Sequence, residues 1–201
     1  MRIVVIGATG TIGRAVCRAL EPRHDVITVG NKSGDVQVDL ANSESIRTLY
    51  RAIGSVDAVV STAGRAVFGD LAKLTDEDFA FSLSHKLMGQ VNLVRIGASL
   101  LSDRGSFTLT SGVLSQEPMK GSAAISLVNG GLDGFVRAAA LELPRGLRIN
   151  VVSPTWVTET LKARGMDLAG GMPADEVALA YVESVEGTKT GQVLNTRMFR
   201  R

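Results

Sequence analysis

The residues with the clearest chemical meaning are the glycines of the run Gly7-Ala8-Thr9-Gly10-Thr11-Ile12-Gly13. Gly7 follows the apolar segment Ile3–Ile6 and can make a tight turn because it has no Cβ. Gly10 lets the backbone approach a pyrophosphate, and Gly13 lets a following helix pack closely. Free N–H groups at the start of that helix then face the phosphates, helped by the helix dipole. The run predicts a dinucleotide site with these contacting residues: Gly7, Thr9, Gly10, Thr11, Ile12 and Gly13.

The segment after the second apolar run predicts which dinucleotide binds. It reads Gly30-Asn31-Lys32-Ser33 and has no carboxylate before Asp35. Sites for NAD(H) usually place an acidic residue here, which bonds the ribose hydroxyls. Lys32 and Ser33 could hold a 2′-phosphate by charge and hydrogen bonds, whereas an acid would repel it. Asn31, Lys32 and Ser33 therefore favour NADP(H) over NAD(H); the alternative is that Lys32 is a solvated turn residue.

Apolar runs alternate with helical patterns along the whole chain, and together they must position these residues. The predicted strands are Arg2–Ile6, Val26–Val29, Val36–Val38, Val56–Val60, Ser106–Thr110, Leu147–Val152 and Gln192–Leu194. The predicted helices are Thr11–Leu20, Ser43–Ala52, Asp76–Leu101, Ala123–Leu143 and Ala174–Val185. Continuous Val/Ile strands separated by helices indicate a parallel sheet that is buried on both faces. We therefore predict an α/β fold over residues 1–201: a single doubly wound Rossmann-type domain with a seven-stranded parallel sheet.

Composition narrows the class of protein. The chain has 201 residues, 45% of them hydrophobic, and a net charge of only +2, so we expect a soluble globular protein without nucleic-acid partners. No apolar stretch reaches membrane-spanning length, and Met1-Arg2 leads directly into a strand, which leaves no room for a signal peptide. The single Cys17 cannot form an internal disulfide, which fits a cytoplasmic location. No Cys/His/carboxylate spacing predicts a metal site.

Several further motifs resemble the short-chain dehydrogenase/reductase family, and the resemblance runs nearly end to end. They are Asp39-Leu40, Ser61-Thr62-Ala63-Gly64, Leu147-Arg148-Ile149-Asn150, Ser153-Pro154-Thr155-Trp156-Val157-Thr158 and Thr190-Gly191-Gln192-Val193-Leu194. The resemblance implies that three groups of residues contact the cofactor. Asp39 and Leu40 would border the adenine ring, Thr62, Ala63 and Gly64 would follow the fourth strand, and Pro154, Val157 and Thr158 would flank the nicotinamide. Only Glu159–Pro173 then separates this last turn from the final helix, so the substrate lobe is shorter than in relatives.

The family's catalytic set is Asn, Ser, Tyr and Lys, and this chain matches it only in part. Ser111 matches the Ser at the end of the fifth strand. When the long helix is anchored on Leu132-Asp133-Gly134-Phe135, the Tyr position falls on Ile125 and the Lys position on Asn129. The Asn position falls near Lys86. The resemblance therefore leaves Ser111 and Lys86 as the candidate catalytic residues.

The departures matter because hydride delivery to a ketone develops an alkoxide, which needs a proton donor. Ile125 has no proton to give, and the tyrosines, Tyr50 and Tyr181, lie on helices where neither is a natural substitute. If Lys86 points into the pocket, burial would lower its pKa towards a useful range. The alternative is a solvated Lys86 on the surface of its helix.

Two functions remain open at this point. The first is a divergent NADP(H)-dependent oxidoreductase that transfers hydride to or from a small carbonyl-type substrate. The second is a catalytically silent NADP(H)-binding sensor or interaction protein, which the absent Tyr-Lys pair favours. In either case the resemblance implies that helices Asp76–Leu101 and Ala123–Leu143 pair across a two-fold axis, giving a homodimer or homotetramer.

Overall fold

A seven-stranded parallel sheet forms the centre of the structure, a computed structural model that describes residues 1–200. The strands are β1 (Arg2–Ile6), β2 (Asp25–Gly30), β3 (Val36–Gln37), β4 (Val56–Ser61), β5 (Leu101–Thr110), β6 (Arg148–Ser153) and β7 (Val193–Asn195). Their order across the sheet is β3-β2-β1-β4-β5-β6-β7. The order reverses between β1 and β4, so a crevice opens there at the carboxyl ends of the strands. The predicted fold class is confirmed.

Helices cover both faces of the sheet. They are α1 (Thr11–Leu20), α2 (Ser43–Ile53), α3 (Asp76–Ser82), α4 (Gly89–Gly97), α5 (Ala123–Glu142), α6 (Thr158–Ala163) and α7 (Ala174–Glu186). Side chains alternate along β1, so Ile3 and Val5 pack with α1 and α7. Val4 and Ile6 belong to the other core, with α2, α4 and α5. All these β1 side chains are buried, as expected for a parallel strand covered on both faces.

The predicted helix Asp76–Leu101 is wrong as a single element. It is divided into α3 and α4 by a π-helical segment, Leu83–Met88, and it ends at Gly97. A Cβ on Gly97 would lie 2.2 Å from Tyr50 Oη, so only glycine fits against α2 there. Leu101 instead begins β5 by pairing with Val56, and the register between β4 and β5 shifts before Ala58.

Other differences are smaller. β5 begins at Leu101, five residues before the predicted Ser106, because the irregular pairing hides the strand pattern in the sequence. The sequence predicted no helix at α6, which is only six residues long and has little periodicity to detect. The remaining predicted bounds differ by at most one residue, as element ends commonly do. No helix within residues 1–200 is long and apolar enough to cross a membrane.

Candidate functional site

Two adjoining cavities lie along the carboxyl ends of the strands. The β1–β2 cavity has a volume of about 290 Å³ and is lined by Ile6, Gly7, Thr9, Gly10, Gly30, Asn31, Val38, Asp39, Leu40, Thr62, Ala63, Gly64, Arg65 and His85. The β5–β6 cavity has a volume of about 280 Å³ and is lined by Ile12, Thr62, Gly64, Lys86, Thr110, Ser111, Gly112, Val113, Leu114, Ile125, Asn129, Pro154, Thr155, Trp156, Val157 and Thr160. Because both include Thr62 and Gly64, they form one continuous groove.

The glycine turn is packed so tightly that side chains would fill it. Gly7 has a φ of +83°, and a Cβ there would lie 2.9 Å from the Ala63 backbone nitrogen. A Cβ on Gly13 would lie 2.0 Å from the Gly7 carbonyl oxygen. Gly10 N donates to that same oxygen at 2.9 Å, which fixes the turn. The backbone is therefore held where a pyrophosphate can approach it without meeting side chains, so the residues present fit the predicted cofactor.

The first turn of α1 is free to bind an anion. The first helical bond joins Arg14 N to Gly10 O at 3.0 Å, so the N–H groups of Thr11, Ile12 and Gly13 have no partner inside the helix. This turn contains no acidic residue. The sequence missed Arg14, whose Nε donates to Thr9 O at 2.8 Å and holds the turn in place.

The end of β2 bears on the choice between NADP(H) and NAD(H). Asn31 lines the β1–β2 cavity, while Lys32 and Ser33 are exposed at its rim and do not line it. Asp35 is turned away from the cavity, because its Oδ2 accepts from Thr28 N at 2.9 Å and from Thr28 Oγ1 at 2.8 Å. These bonds hold the pKa of Asp35 below its ordinary value. The turn therefore offers no carboxylate for a ribose hydroxyl at this place.

The far side of the β1–β2 cavity contains residues that the sequence did not assign. Asp39 and Leu40 line it as expected, and Asp39 Oδ1 accepts from Ala41 N at 3.0 Å. Arg65 and His85 line it as well. The Arg65 Cζ lies 5.1 Å from the centroid of the Phe81 ring, and the centroid of the His85 ring lies 4.2 Å from it. No local sequence pattern marks these two, because they converge only through the π-helical segment.

The π-helical segment Leu83–Met88 serves both cavities. His85 lines the β1–β2 cavity, and the next residue, Lys86, lines the β5–β6 cavity. Gln90 fastens the segment to the end of β5: Nε2 donates to Lys86 O at 3.2 Å and to Thr110 O at 2.9 Å, and Oε1 accepts from Thr110 N at 2.8 Å. A Cβ on Gly64 would lie 3.1 Å from Lys86 Cγ, so glycine makes room for the lysine stem. Such π segments are frequent at functional sites.

Lys86 is the central ionisable group of the β5–β6 cavity. Its side chain is buried, so the alternative of a solvated Lys86 is wrong. Nζ donates to the Ser111 carbonyl oxygen at 3.1 Å. Burial lowers the pKa of Lys86 to about 8, and the negative charge of Asp133 opposes this shift. Among the lining residues that the structure describes, no other side chain is ionisable.

Beside Lys86, several buried polar atoms lack a partner. Ser111 Oγ is buried without a hydrogen bond, and so is Asn129 Oδ1. Asn129 Nδ2 donates to Gly112 O at 3.4 Å. Ile125 adds only apolar surface to the same wall. Because an unpaired buried polar group is costly, Ser111 and Asn129 are suited to bind polar atoms of a ligand.

Neither tyrosine supplies a proton to this cavity. Tyr50 Oη donates to Leu93 O at 2.7 Å inside the core. Tyr181 Oη lies 2.7 Å from Thr110 Oγ1, which itself donates to Ser61 O at 2.6 Å. Burial raises the pKa of both phenols above their ordinary value. Neither side chain is among the described residues that line the β5–β6 cavity.

The turn after β6 closes the cavity from one side. Pro154 and Val157 line it, together with Trp156, whereas Thr158 does not. Thr158 N instead donates to Met172 O at 2.9 Å, and Met172 N donates to Trp156 O at the same distance. The Glu159 carboxylate accepts from Ala174 N at 3.0 Å. These bonds tie the short substrate lobe to the start of α7.

Comparison with known proteins bears on this site. Residues 4–188 match the family model described as "Enoyl-(Acyl carrier protein) reductase". An uncharacterised oxidoreductase of Methylorubrum extorquens is 27% identical, over 96% of this chain and 94% of its own length.

Solved structures agree with this match. The protein lin1944 of Listeria innocua is 44% identical and superposes with a TM-score of 0.94, covering 97% of this chain and 98% of its own. A small-chain dehydrogenase in complex with NADPH is 26% identical with a TM-score of 0.86, covering 97% of this chain and 95% of its own.

Proposed function

Because the chain belongs to the short-chain dehydrogenase/reductase family, we propose that it is an NADP(H)-dependent oxidoreductase in which Lys86 replaces the usual tyrosine as proton donor. The observation that carries the proposal is the position of Lys86. It is the sole ionisable side chain among the described lining residues of the β5–β6 cavity, and its pKa of about 8 suits acid–base chemistry near neutral pH.

The cofactor assignment follows from the shape and charge of the groove. The glycine turn and the start of α1 would hold the pyrophosphate, and Asp39 with Leu40 would border the adenine ring. Lys32 and Ser33 follow Asn31 on the exposed rim and would hold a 2′-phosphate there, while the Asp35 carboxylate accepts from Thr28. The NADPH complex of the relative described above supports the same choice. Pro154 and Val157 would flank the nicotinamide, which supplies hydride when bound.

The residues of the chain then complete the reduction. A carbonyl oxygen of the substrate becomes negatively charged as its carbon accepts hydride, and the Lys86 ammonium gives this oxygen a proton. Lys86 is left as the neutral amine and regains a proton from solvent. Ser111 can only donate a hydrogen bond to the same oxygen, because a serine hydroxyl is far too weak an acid to give up its proton. For an imine, Lys86 would protonate the nitrogen. For an activated alkene, it would protonate the carbon next to the carbonyl group.

The test is turnover of Lys86→Met with a panel of ketones, aldehydes, imines and enones. Losing general acid catalysis should lower the rate by roughly 10²–10⁴-fold, while NADPH remains bound. Lys73→Met removes an exposed cation that pairs with Asp70, and it serves as the matched control with unchanged turnover. If Lys86→Met keeps the turnover of the wild type, the assignment of Lys86 is wrong.

A second candidate is an NADP(H)-binding sensor without turnover. Ile125 favours it, because this apolar residue lies on the cavity wall where the family pattern has its tyrosine. The double substitution Ile125→Tyr with Asn129→Lys restores the family pair. Gained activity on generic ketones would show a site that lacks only its acid. NADPH binding with no turnover on the whole panel in the wild type would favour the sensor.

We also infer assembly into a homodimer or homotetramer through the outward face of α5. Its exposed residues are mostly apolar or small, with Arg137 and Glu142 near the carboxyl end of the helix; the apolar or small ones are Leu127, Gly130, Gly131, Gly134, Ala138 and Leu141. Leu141 is 89% exposed, which is unusual for a large apolar side chain. Light scattering at micromolar concentration should give a multiple of the 21.2 kDa chain, and Leu141→Glu should reduce it. A monomeric wild type would contradict this inference. The cytoplasmic location stays a prediction.

A further inference from the structure

The only buried charged side chains in residues 1–200 are Lys86 and Asp133. Asp133 lies on α5, one helical turn after Asn129, and does not line the cavity. The proposed reaction assigns it no part. Charged groups are rarely buried unless a partner of opposite charge offsets the loss of water. A cation and an anion buried together therefore point to a common purpose.

Only one of the two carboxylate oxygens of Asp133 has a hydrogen bond. Oδ2 accepts from Ser115 Oγ at 2.7 Å. Oδ1 is buried and has no partner, as is the Oδ1 of Asn129. These two acceptors lie one turn apart on the buried side of α5, and Asn129 lines the β5–β6 cavity together with Lys86.

Lys86 offers the matching donors. An ammonium has three N–H groups, and one of them is used by the Ser111 carbonyl oxygen. Neither Asn129 Oδ1 nor Asp133 Oδ1 bonds Nζ directly, so the other two N–H groups would reach these acceptors through ordered water. Buried polar groups are nearly always paired, directly or through ordered water, so donors and acceptors enclosed together are expected to be joined.

The other charged groups around Lys86 are engaged elsewhere. On its own segment, His85 faces the β1–β2 cavity, as does Arg65 from the loop after β4. On α3, Asp78 accepts from Thr75 N. On α4 and α5, Arg95 and Arg137 are exposed to solvent, and the end of β5 contributes no charge. Asp133 is thus the buried carboxylate left to offset the charge of Lys86.

We propose that Asp133 is a positioning residue which, through Asn129 and buried water, keeps Lys86 as a charged ammonium directed at the β5–β6 cavity. This inference rests on the proposed function, in which Lys86 must carry the proton that it donates. Burial by itself favours the neutral amine of Lys86, and the negative charge of Asp133 favours the protonated form. Removing that charge should leave about half or less of Lys86 protonated near neutral pH, so that the acid is often absent when hydride arrives.

The direct test is the titration of Lys86 in the free protein, followed by NMR of its labelled side chain. The wild type should titrate near pH 8, and Asp133→Asn should move the midpoint down by about one pH unit or more, a tenfold change in proton affinity. Asp133→Glu keeps the charge and should restore most of the midpoint. Asp103→Asn removes a surface carboxylate paired with Arg145 and serves as the control. An unchanged midpoint in Asp133→Asn overturns the proposal.

A second measurement covers the case in which Asp133→Asn is too unstable for NMR. A double-mutant cycle in urea with Lys86→Met and Asp133→Asn measures how the two side chains interact. The proposal expects a favourable coupling, so that Asp133→Asn costs clearly less in the Lys86→Met background. Equal costs in both backgrounds contradict it.

The pH profile separates positioning from a merely structural effect. In Asp133→Asn the rate of reduction should begin to fall at a lower pH than in the wild type, while the rate at acidic pH matches the wild type. A purely structural loss lowers the rate at every pH and contradicts the proposal. The two hypotheses fail differently: full activity of Lys86→Met overturns the proposed function, whereas an unshifted Lys86 titration overturns only the part assigned to Asp133.

Discussion

The β1–β2 cavity is built mainly from backbone, whereas the β5–β6 cavity depends on side chains from separate segments. Gly7, Gly10 and the start of α1 are neighbours in sequence. The start of α1 presents free N–H groups, and the two glycines keep side chains out of the space in front of them. In the β5–β6 cavity, Lys86 comes from the π-helical segment, Ser111 from the end of β5 and Asn129 from α5. The comparison teaches that cofactor binding in this fold is local and robust, while the chemistry depends on distant residues that can be exchanged separately.

The two cavities also differ in how they handle charge. The first would bind an anion with helix N–H groups and surface cations, and these groups stay exposed to water at little cost. The second contains a buried ammonium, which burial pushes towards the neutral form. Substitutions in the two cavities should therefore have different signatures, and the following four predictions use that contrast.

The largest effect should come from the turn of the β1–β2 cavity. Gly13→Ala places a Cβ 2.0 Å from the Gly7 carbonyl oxygen, and no flexible side chain can move to relieve this overlap. We expect a loss of more than about 3 kcal/mol in the free energy of unfolding, together with loss of NADPH binding. Thermal denaturation and calorimetry measure both. Gly130→Ala is the matched control, because a Cβ on this helical glycine meets no atom within 4 Å. A stable Gly13→Ala protein that binds NADPH normally would contradict this view of the turn.

The second prediction concerns the stability cost of the buried Lys86. Its pKa is about 8 in the folded protein and 10.5 ordinarily, so the unfolded chain binds more protons between these values. The free energy of unfolding of the wild type should therefore rise with pH through this window, by about 3 kcal/mol relative to Lys86→Met. Urea denaturation of both proteins at pH 7 and pH 10 measures the difference. Parallel pH dependence of the two proteins would show that Lys86 is not desolvated.

The third prediction returns to the rim of the β1–β2 cavity. Lys32→Ala should erase most of the preference for NADPH over NADH, because a charge-assisted bond is worth roughly 1.5–3 kcal/mol, about 10–100-fold in affinity. Lys189→Ala removes a comparable surface lysine on the opposite side of the molecule and should leave the preference intact. Calorimetry with both cofactors is the measurement. Equal affinities in the wild type would exclude the 2′-phosphate assignment.

The smallest effect should come from Ser111→Ala. The Ser111 hydroxyl can only bond the developing oxyanion, and one such bond contributes about 1 kcal/mol, so turnover should fall by roughly tenfold or less. Ser153→Ala is the control, because its Oγ is equally buried and unpartnered but lies outside the described lining of the cavity. A larger loss in Ser111→Ala than in Lys86→Met would reverse the assignment of the proton donor.

Much of the fold could be predicted from sequence because its determinants are local. Val/Ile runs such as Ile3–Ile6 are buried on both faces, and the glycine run marks the turn between β1 and α1. The failures occurred where tertiary contacts override local pattern. Leu101 continues a helical pattern but pairs with Val56 in the sheet, and α4 ends at Gly97, where the Tyr50 side chain leaves no room for a Cβ.

The sequence by itself determined the parallel sheet and the position of the glycine turn, because each depends on residue type at fixed spacing. The family resemblance predicts that Ile125 and Asn129 stand where relatives have a Tyr-Lys pair. Only the tertiary structure decided that Lys86 is buried. It also showed that Asp35 is bonded to Thr28 and that Asp133 is buried on α5. The physical reason is that the pKa of a side chain depends on desolvation and on charges brought close by folding, and neither is encoded in neighbouring residues.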